Sequence, residues 1–333
     1  MNETAKIKQK IKQTTSDVTF RDRWINVMAH LGINRNKHRV DPGLYALGSP
    51  DRDSPVFVTA NYSPSFRALR TALRGIDGHV MVLDTKGINV WCAAGKGTFG
   101  TDELVLRIER ANLGGIVKHR RLILPQLGAP GVAAHEVKKR TGFKVEYGPV
   151  RAADLPRYLA TGEATAGMRR VGFPLKQRLA IVPVETVNTL IFTVVLGLPL
   201  YFAAGFLAAL AALAAVFAGN VLFPPLLPWL PTGNFSTKGF FLGALVAVPF
   251  AVMAGLGYHG EATWQRAGWA LAYLLFMPPV TAFLSLNCTG STTFTSWSGV
   301  KREIFAYVPV MAWMFAPGVL LMAALSVARA IGA

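Results

Sequence analysis

The hydrophobic pattern of the chain changes regime near residue 180. From Leu179 onward apolar residues come in runs of the ~20 residues that a helix needs to cross a bilayer, at roughly 181–201, 202–223, 239–257, 264–286 and 305–328. Backbone polar groups in hydrocarbon have to be satisfied within their own segment, so these runs predict five transmembrane helices. Between Ser54 and Gly162 short β-type runs alternate with helical ones. Strands are predicted at 55–60, 79–84, 88–91, 121–124 and 143–147, and helices at 64–74, 101–111, 131–141 and 153–160. That alternation predicts an α/β layered sheet, in which ligands sit at the carboxyl ends of the strands. The expected organisation is a basic N-terminal extension over 1–37, an α/β domain over 38–165, a basic linker over 166–180 and an all-α membrane domain over 181–333.

Composition supports two solvents for two halves. With 52% hydrophobic and 16% charged residues, the chain is neither disordered nor fibrous. Residues 1–178 hold 30 Lys and Arg against 15 Asp and Glu, whereas 179–333 hold 5 against 3. Orientation follows from the cations. Arg151, Arg157, Arg169, Arg170, Lys176 and Arg178 precede the first span and place it cytoplasmic-side first; five crossings then put Lys238, Lys301 and Arg302 on the same side, and Arg266 and Arg329 opposite. The first forty residues are polar and basic, without a secretory apolar stretch, so the expectation is a multi-pass protein of the cytoplasmic membrane with its α/β domain in the cytoplasm. No nucleic-acid recognition motif accompanies the basic charge, which beside spans favours anionic membrane lipid.

Candidate chemistry is sparse. Two cysteines, Cys92 and Cys288, cannot hold an iron–sulfur cluster, which takes about four thiolates, nor do they form a disulfide framework. Cys92 lies in GINVWCAAGKGTFG at 87–100. A Walker loop would need Gly at Val90 and Ser or Thr at Gly97. The segment instead offers one thiol among small residues, which a flat, bulky partner can approach closely. A helix N-terminus and Lys96 would favour thiolate, the metal-binding form; a buried structural cysteine is the competing reading. His79, in DGHVMV, departs from a histidine cobalt-ligand loop because Val82 stands where Gly is needed, and reads as a surface or strand-start residue. His135 reads as structural or as an edge contact. Cys288 reads as a small membrane side chain or a relay for a soft metal. Glu185, at the start of the first span, reads as interfacial or as a functional intramembrane acid. The Ser/Thr-rich stretch 287–301 reads as an ordinary loop or one touching the soluble domain.

The run NVWCAAGK at 89–96 resembles the signature of the mercury-methylating corrinoid protein family (HgcA), whose members join a corrinoid domain to five membrane spans. VDPGLYALG at 40–48, SPVFVTANY at 54–62 with Ser65 and Phe66, GTFGTDE at 97–103 and LPQLGAPG at 124–131 extend the resemblance. They are also similar to the corrinoid-binding domain of the corrinoid iron–sulfur protein large subunit. The resemblance implies a Rossmann-like corrinoid-binding domain over 38–165. It implies cobalamin bound base-off, Cys92 as lower axial ligand and catalytic residue, and a cap helix at 91–96. The further residues of the motif, Asn89, Val90, Trp91, Ala93, Ala94, Gly95 and Lys96, become expected cofactor contacts. Thr59, Asn61 and Gln126 are placed at strand ends as additional ones. Implied partners are Hg(II), a methyl donor of methyltetrahydrofolate type or its carrier, and a ferredoxin-like protein with two [4Fe–4S] clusters supplying electrons. Two alternatives stand beside this methyltransferase: a membrane-anchored corrinoid methyl carrier for one-carbon metabolism, and a transporter with a regulatory soluble domain.

Overall fold

A computed structural model describes residues 11–34, 37–257, 262–292 and 297–331. The start of the basic extension and residues 293–296 of the Ser/Thr-rich stretch lie outside the described residues. The chain divides into two compact units, Met1–Val171 and Gly172–Ala333.

The first unit runs β1 (Lys12–Thr14), α1 (Phe20–His30), β2 (Gly43–Leu47), β3 (Val56–Ala60), α2 (Ser63–Ala72), β4 (Gly78–Leu83), α3 (Val90–Gly95), α4 (Thr101–Arg110), α5 (Leu113–Ile116), β5 (Arg121–Leu124), α6 (Ala134–Thr141), β6 (Lys144–Tyr147) and α7 (Leu155–Thr161). The described strands form one sheet in the order β1-β2-β4-β3-β5-β6. From β4 to β6 the neighbours are parallel, but β2 runs antiparallel to β4, so the sheet is mixed. Strands β2, β3 and β4 are buried at every position, the condition of a sheet covered on both faces, and this is why they read as near-continuous apolar runs. Alternation still sorts their side chains. Val56, Val58, Ala60, Met81 and Leu83 pack under α3, α4 and α6. Phe57, Val80 and Val82 pack against Phe66 and Leu69 of α2 and Leu155 and Tyr158 of α7.

Four of the five predicted strands are present within one residue of their expected ends. The fifth, at 88–91, is not a strand. Asn89 is extended, and its side-chain oxygen accepts the Cys92 N–H at 2.9 Å, so the backbone enters a helix at Val90; a side-chain cap competes directly with a ladder for the same donors. The sequence pattern did not disclose β1, α1 or β2. The GLYAL of β2 has little strand propensity of its own and acquires its hydrogen bonds from β4.

In the second unit five helices among the described residues are long and apolar enough to cross a membrane. They are Val182–Ala204, Phe206–Phe217 with its continuation to Leu226, Phe235–Gly255, Thr263–Asn287 and Trp297–Ala330. Gly205, with φ +89°, breaks the first from the second. The third and fourth approach closely through small residues: a Cβ added at Gly239 would come to 2.5 Å from the Ala282 backbone, and one at Gly243 to 2.7 Å from that of Pro278. This is the small-residue packing of helices in lipid. Glu303, buried in the fifth helix, accepts hydrogen bonds from the Phe235 and Ser236 amides at 3.2 and 2.9 Å. It thereby caps the third helix by accepting from two of the amides that a helix N-terminus leaves unpaired. Glu185 sits partly buried in the first turn of its helix. Cys288 is buried among Leu242, Leu286 and Met311, as a small core side chain is.

His79 is not at the surface. It is 3% exposed in β4, with Nε2 3.2 Å from the Asp51 carbonyl and Nδ1 lacking a hydrogen-bond partner. Burial lowers its pKa below 6.5, because a proton on Nδ1 would be charged, buried and unpaired. The unfolded chain therefore binds the extra proton first, and stability present above pH 6.5 is lost as pH falls below it. Thermal melting of the purified full chain should show a midpoint that declines as pH is lowered from 7 toward 5. His79→Gln should flatten that decline; an unchanged slope in the variant would show that the acid sensitivity originates elsewhere.

Candidate functional site

The element that carries Cys92 has two faces. In α3 the buried side chains are Val90, Ala93 and Ala94, spaced i, i+3 and i+4 as on one side of a helix. Trp91, Gly95 and Lys96 are exposed, and Cys92 is partly so. Four residues expected at a cofactor thus share an outer face, while Ala93 and Ala94 form the floor beneath it. That floor is close-packed: a Cβ on Gly131 would come to 2.1 Å from the Phe99 carbonyl oxygen and 3.0 Å from Ala94 Cα. Above it there is room, since nothing lies within 4 Å of a Cβ built at Gly95 or Gly97.

The turn leading into α3 is organised by Asn61. Its carboxamide oxygen accepts the Thr85 and Gly87 amides at 3.1 and 3.0 Å, and its nitrogen donates to the Asp84 carboxylate at 3.1 Å. Lys86 and Gly87 both have positive φ, +60° and +76°, so two successive left-handed residues swing the chain from β4 into the helix. Asn61 is buried in this role; it is a structural residue of the turn, not the open contact expected from its strand-end position. Gln126 is engaged as well, its Oε1 accepting from Arg169 at 2.9 Å.

A cleft of about 310 Å³ opens beside the outer end of α3. Thr59, Asn89, Val90 and Trp91 line it, together with Ser65 and Ala68 of α2, Pro125 after β5, and Val150. It lies at the carboxyl ends of β3 and β5. The connection through α2 leads from β3 to β4 on one side, while β5 pairs with β3 on the other. This is a topological switch point, where open α/β sheets bind ligands. Of the lining, Ala68, Leu127 and Val150 carried no chemical signal in the sequence, because an apolar wall looks like ordinary core until its partners are known. His135 is exposed at the start of α6 and does not line the cleft.

A larger depression, about 520 Å³, lies beside β6. It is open and polar, and Arg121 and Lys144 hold the Glu146 carboxylate at 2.8 and 3.2 Å. The Arg121 hydrogen bond leads the causes that keep the Glu146 carboxyl below its usual range. Cys92 lines neither depression, but the first cleft is bordered by its neighbours Val90 and Trp91 in α3.

With that geometry in place, likeness to known proteins becomes informative. Residues 33–159 match the family model for the CO dehydrogenase/acetyl-CoA synthase delta subunit. A stretch of 127 residues is 32% identical to the acetyl-CoA decarbonylase/synthase complex subunit gamma of Methanopyrus kandleri, covering 38% of this chain and 27% of that protein. Another is 29% identical over 119 residues to the corrinoid/iron-sulfur protein large subunit of Moorella thermoacetica, covering 35% and 26%. The family-model match falls within the first unit. The chain spans about a quarter of the length of these relatives.

Two substitutions check the construction. Asn61→Ala should destabilise the full chain by about 3 kcal/mol, since it strands buried partners of several hydrogen bonds. Asn89→Ala should cost only about 1 kcal/mol but speed amide exchange in α3 roughly fivefold. Denaturant titration and hydrogen exchange of the detergent-solubilised protein read the two effects.

Proposed function

We propose that the first unit holds a corrinoid with Cys92 as lower axial ligand to cobalt, and that the chain is a membrane-anchored corrinoid methyltransferase whose acceptor is Hg(II). The observation that carries this reading is the partly exposed thiol on the open face of α3, beside a switch-point cleft. It lies within residues 33–159, which match the family model for the CO dehydrogenase/acetyl-CoA synthase delta subunit.

The residues fit such a group. At about 310 Å³ the cleft is at the small end of ligand pockets, suited to an appended tail or one edge of a large ligand. A flat macrocycle needs the open outer face, where Gly95 and Gly97 present no side chain. Trp91, exposed there, offers apolar surface that a bound ring would remove from water. A bound corrinoid would supply a cobalt centre able to carry a methyl group, and Cys92 would hold that cobalt through its sulfur.

Cys92 is the third residue of its helix and stands partly exposed on the outer face. A thiolate donates more electron density than a neutral imidazole. Held on cobalt, the Cys92 sulfur would favour release of a methyl group with its bonding electrons, or by a radical equivalent, the form that a mercuric ion, itself an electrophile, would require. Electrons to return such a cobalt centre to its methyl-accepting state would have to come from outside this chain, whose two cysteines are far apart in sequence and cannot hold a cluster. A ferredoxin-like partner with two [4Fe–4S] clusters supplies them in this scheme, and a methyltetrahydrofolate-type donor supplies the methyl group. The five apolar helices and the cationic bias around them support a cytoplasmic-membrane location. The likeness to an acetyl-CoA decarbonylase/synthase subunit gamma supports a second reading, a methyl carrier for one-carbon metabolism.

Visible absorption of cobalamin-loaded protein decides the ligand: the wild type should show a sulfur-ligated spectrum that Cys92→Ala loses, and a spectrum unaltered by the substitution would reject the assignment. Methylmercury production by cells with and without the gene decides the acceptor. Production that persists undiminished in the deleted strain, where no second copy exists, would leave the carrier reading in its place.

A further inference from the structure

Helix α1 is turned inside out relative to an ordinary surface helix. Its inward side is held by polar contacts: Asp22 pairs with the buried Arg70 at 2.5 Å, and Asn26 accepts from Arg67 at 2.6 Å. Arg70 also donates to the carbonyls of Thr15 and Asp17, which ties the preceding segment to α2. Only Ala29 of this helix is buried. Three large apolar residues face outward, with Phe20 81%, Trp24 55% and Val27 49% exposed, whereas Ile25 and Met28 are half-buried. They fall at i, i+4 and i+7, one stripe of a helix. Scattered exposed hydrophobes need no explanation, but a stripe of Phe20, Trp24 and Val27 on the side of a helix opposite Asp22 and Asn26 does.

The flanks of the stripe identify what covers it. Arg21 and Arg23 are exposed and pair with no acid among the described residues. Residues 1–40 contain nine Lys and Arg against three Asp and Glu. Phe and Trp on one face with arginines beside them is the composition of a helix lying in a membrane interface, where the rings sit at headgroup level and the cations meet anionic lipid. A protein partner would have to be recruited. Lipid is at hand, because this unit is covalently joined to a helix long and apolar enough to cross a membrane, beginning at Leu175.

We infer that α1 is an interfacial anchor that docks the first unit on anionic lipid through Phe20, Trp24, Val27, Arg21 and Arg23. The inference rests on the membrane reading of the second unit and is independent of the corrinoid. The full chain, reconstituted into nanodiscs of phosphatidylcholine with or without phosphatidylglycerol, provides the test. A spin label is placed at Val27→Cys in a Cys92→Ala background, with a separate label at Ile191→Cys as reference for the first apolar helix. In the anionic discs the label at 27 should be accessible to oxygen and shielded from a water-soluble nickel chelate. Arg21→Gln with Arg23→Gln should lower the docked fraction roughly tenfold. A label at 27 open to the chelate while the label at 191 reports lipid would overturn the anchor and leave the membrane reading intact. Low accessibility to both reagents would mean that protein, a second copy of the chain, covers the stripe, and would also overturn it. Both labels in water would remove the membrane reading and the anchor together.

Discussion

The carboxamide of Asn61 is buried where β3 ends, and its hydrogen bonds to Thr85, Gly87 and Asp84 decide how the chain turns after β4. Asp84 is tied in turn to α4, since its amide donates to Glu103 at 2.7 Å, and Glu103 accepts from Arg107 at 2.6 Å. One side chain on the central parallel strand therefore links two strand ends and indirectly the helix after the site. Buried polar groups of this kind are costly unless every partner is in place, so the turn has little freedom. The first residue of α3, and with it the height at which Cys92 stands over the sheet, follows from that rigidity.

Close packing beneath α3 completes the positioning. Phe99 is fully buried against Gly128 and Gly131, where an added Cβ would come to 2.6 and 2.1 Å from it. The GAPG segment after β5 is thus pressed against the floor of the helix, and a dense core transmits displacement instead of absorbing it. A rigid floor with an unobstructed outer face is the arrangement that lets a thiol meet a broad ligand at a fixed distance. The two cysteines illustrate the contrast: Cys92 stands partly open on this platform, whereas Cys288 is enclosed by apolar side chains.

The two units solve opposite solvation problems. In the first, buried strands and covering helices remove apolar surface from water. In the second, Ile191, Phe192, Trp313 and Leu320 face outward, and the interior is assembled from close backbone approaches at Gly239 and Gly243 and from polar closures such as Glu303 on the third helix and Asn220 on Thr189. Helix α1 belongs to the first unit by position but follows the rule of the second, with its aromatic residues outward. The Asp22–Arg70 ion pair and the Arg67–Asn26 hydrogen bond tie it to α2.

Much of this was legible in the chain itself. Apolar runs of bilayer length marked five helices, four of them to within a few residues, because length and apolarity are local properties; the fifth begins eight residues before its apolar run, at Trp297. Strands β3 to β6 were legible for the same reason, as was the singular thiol at position 92. What the tertiary structure decided depends on partners far away in sequence. The hydrophobic pattern of INVW suits a strand, and only the Asn89 cap and the turn held by Asn61 made it a helix start. Ala93 and Ala94 look like ligand contacts until Gly131 is seen against Ala94. Thr59 and Asn61 both lie at the end of β3, yet one lines the cleft and the other is enclosed in the turn. Strand order, the switch point between β3 and β5, and the carboxylate that caps a helix from 67 residues away are relations between distant segments. A local pattern reports whether a residue is buried, and only the folded chain reports against what.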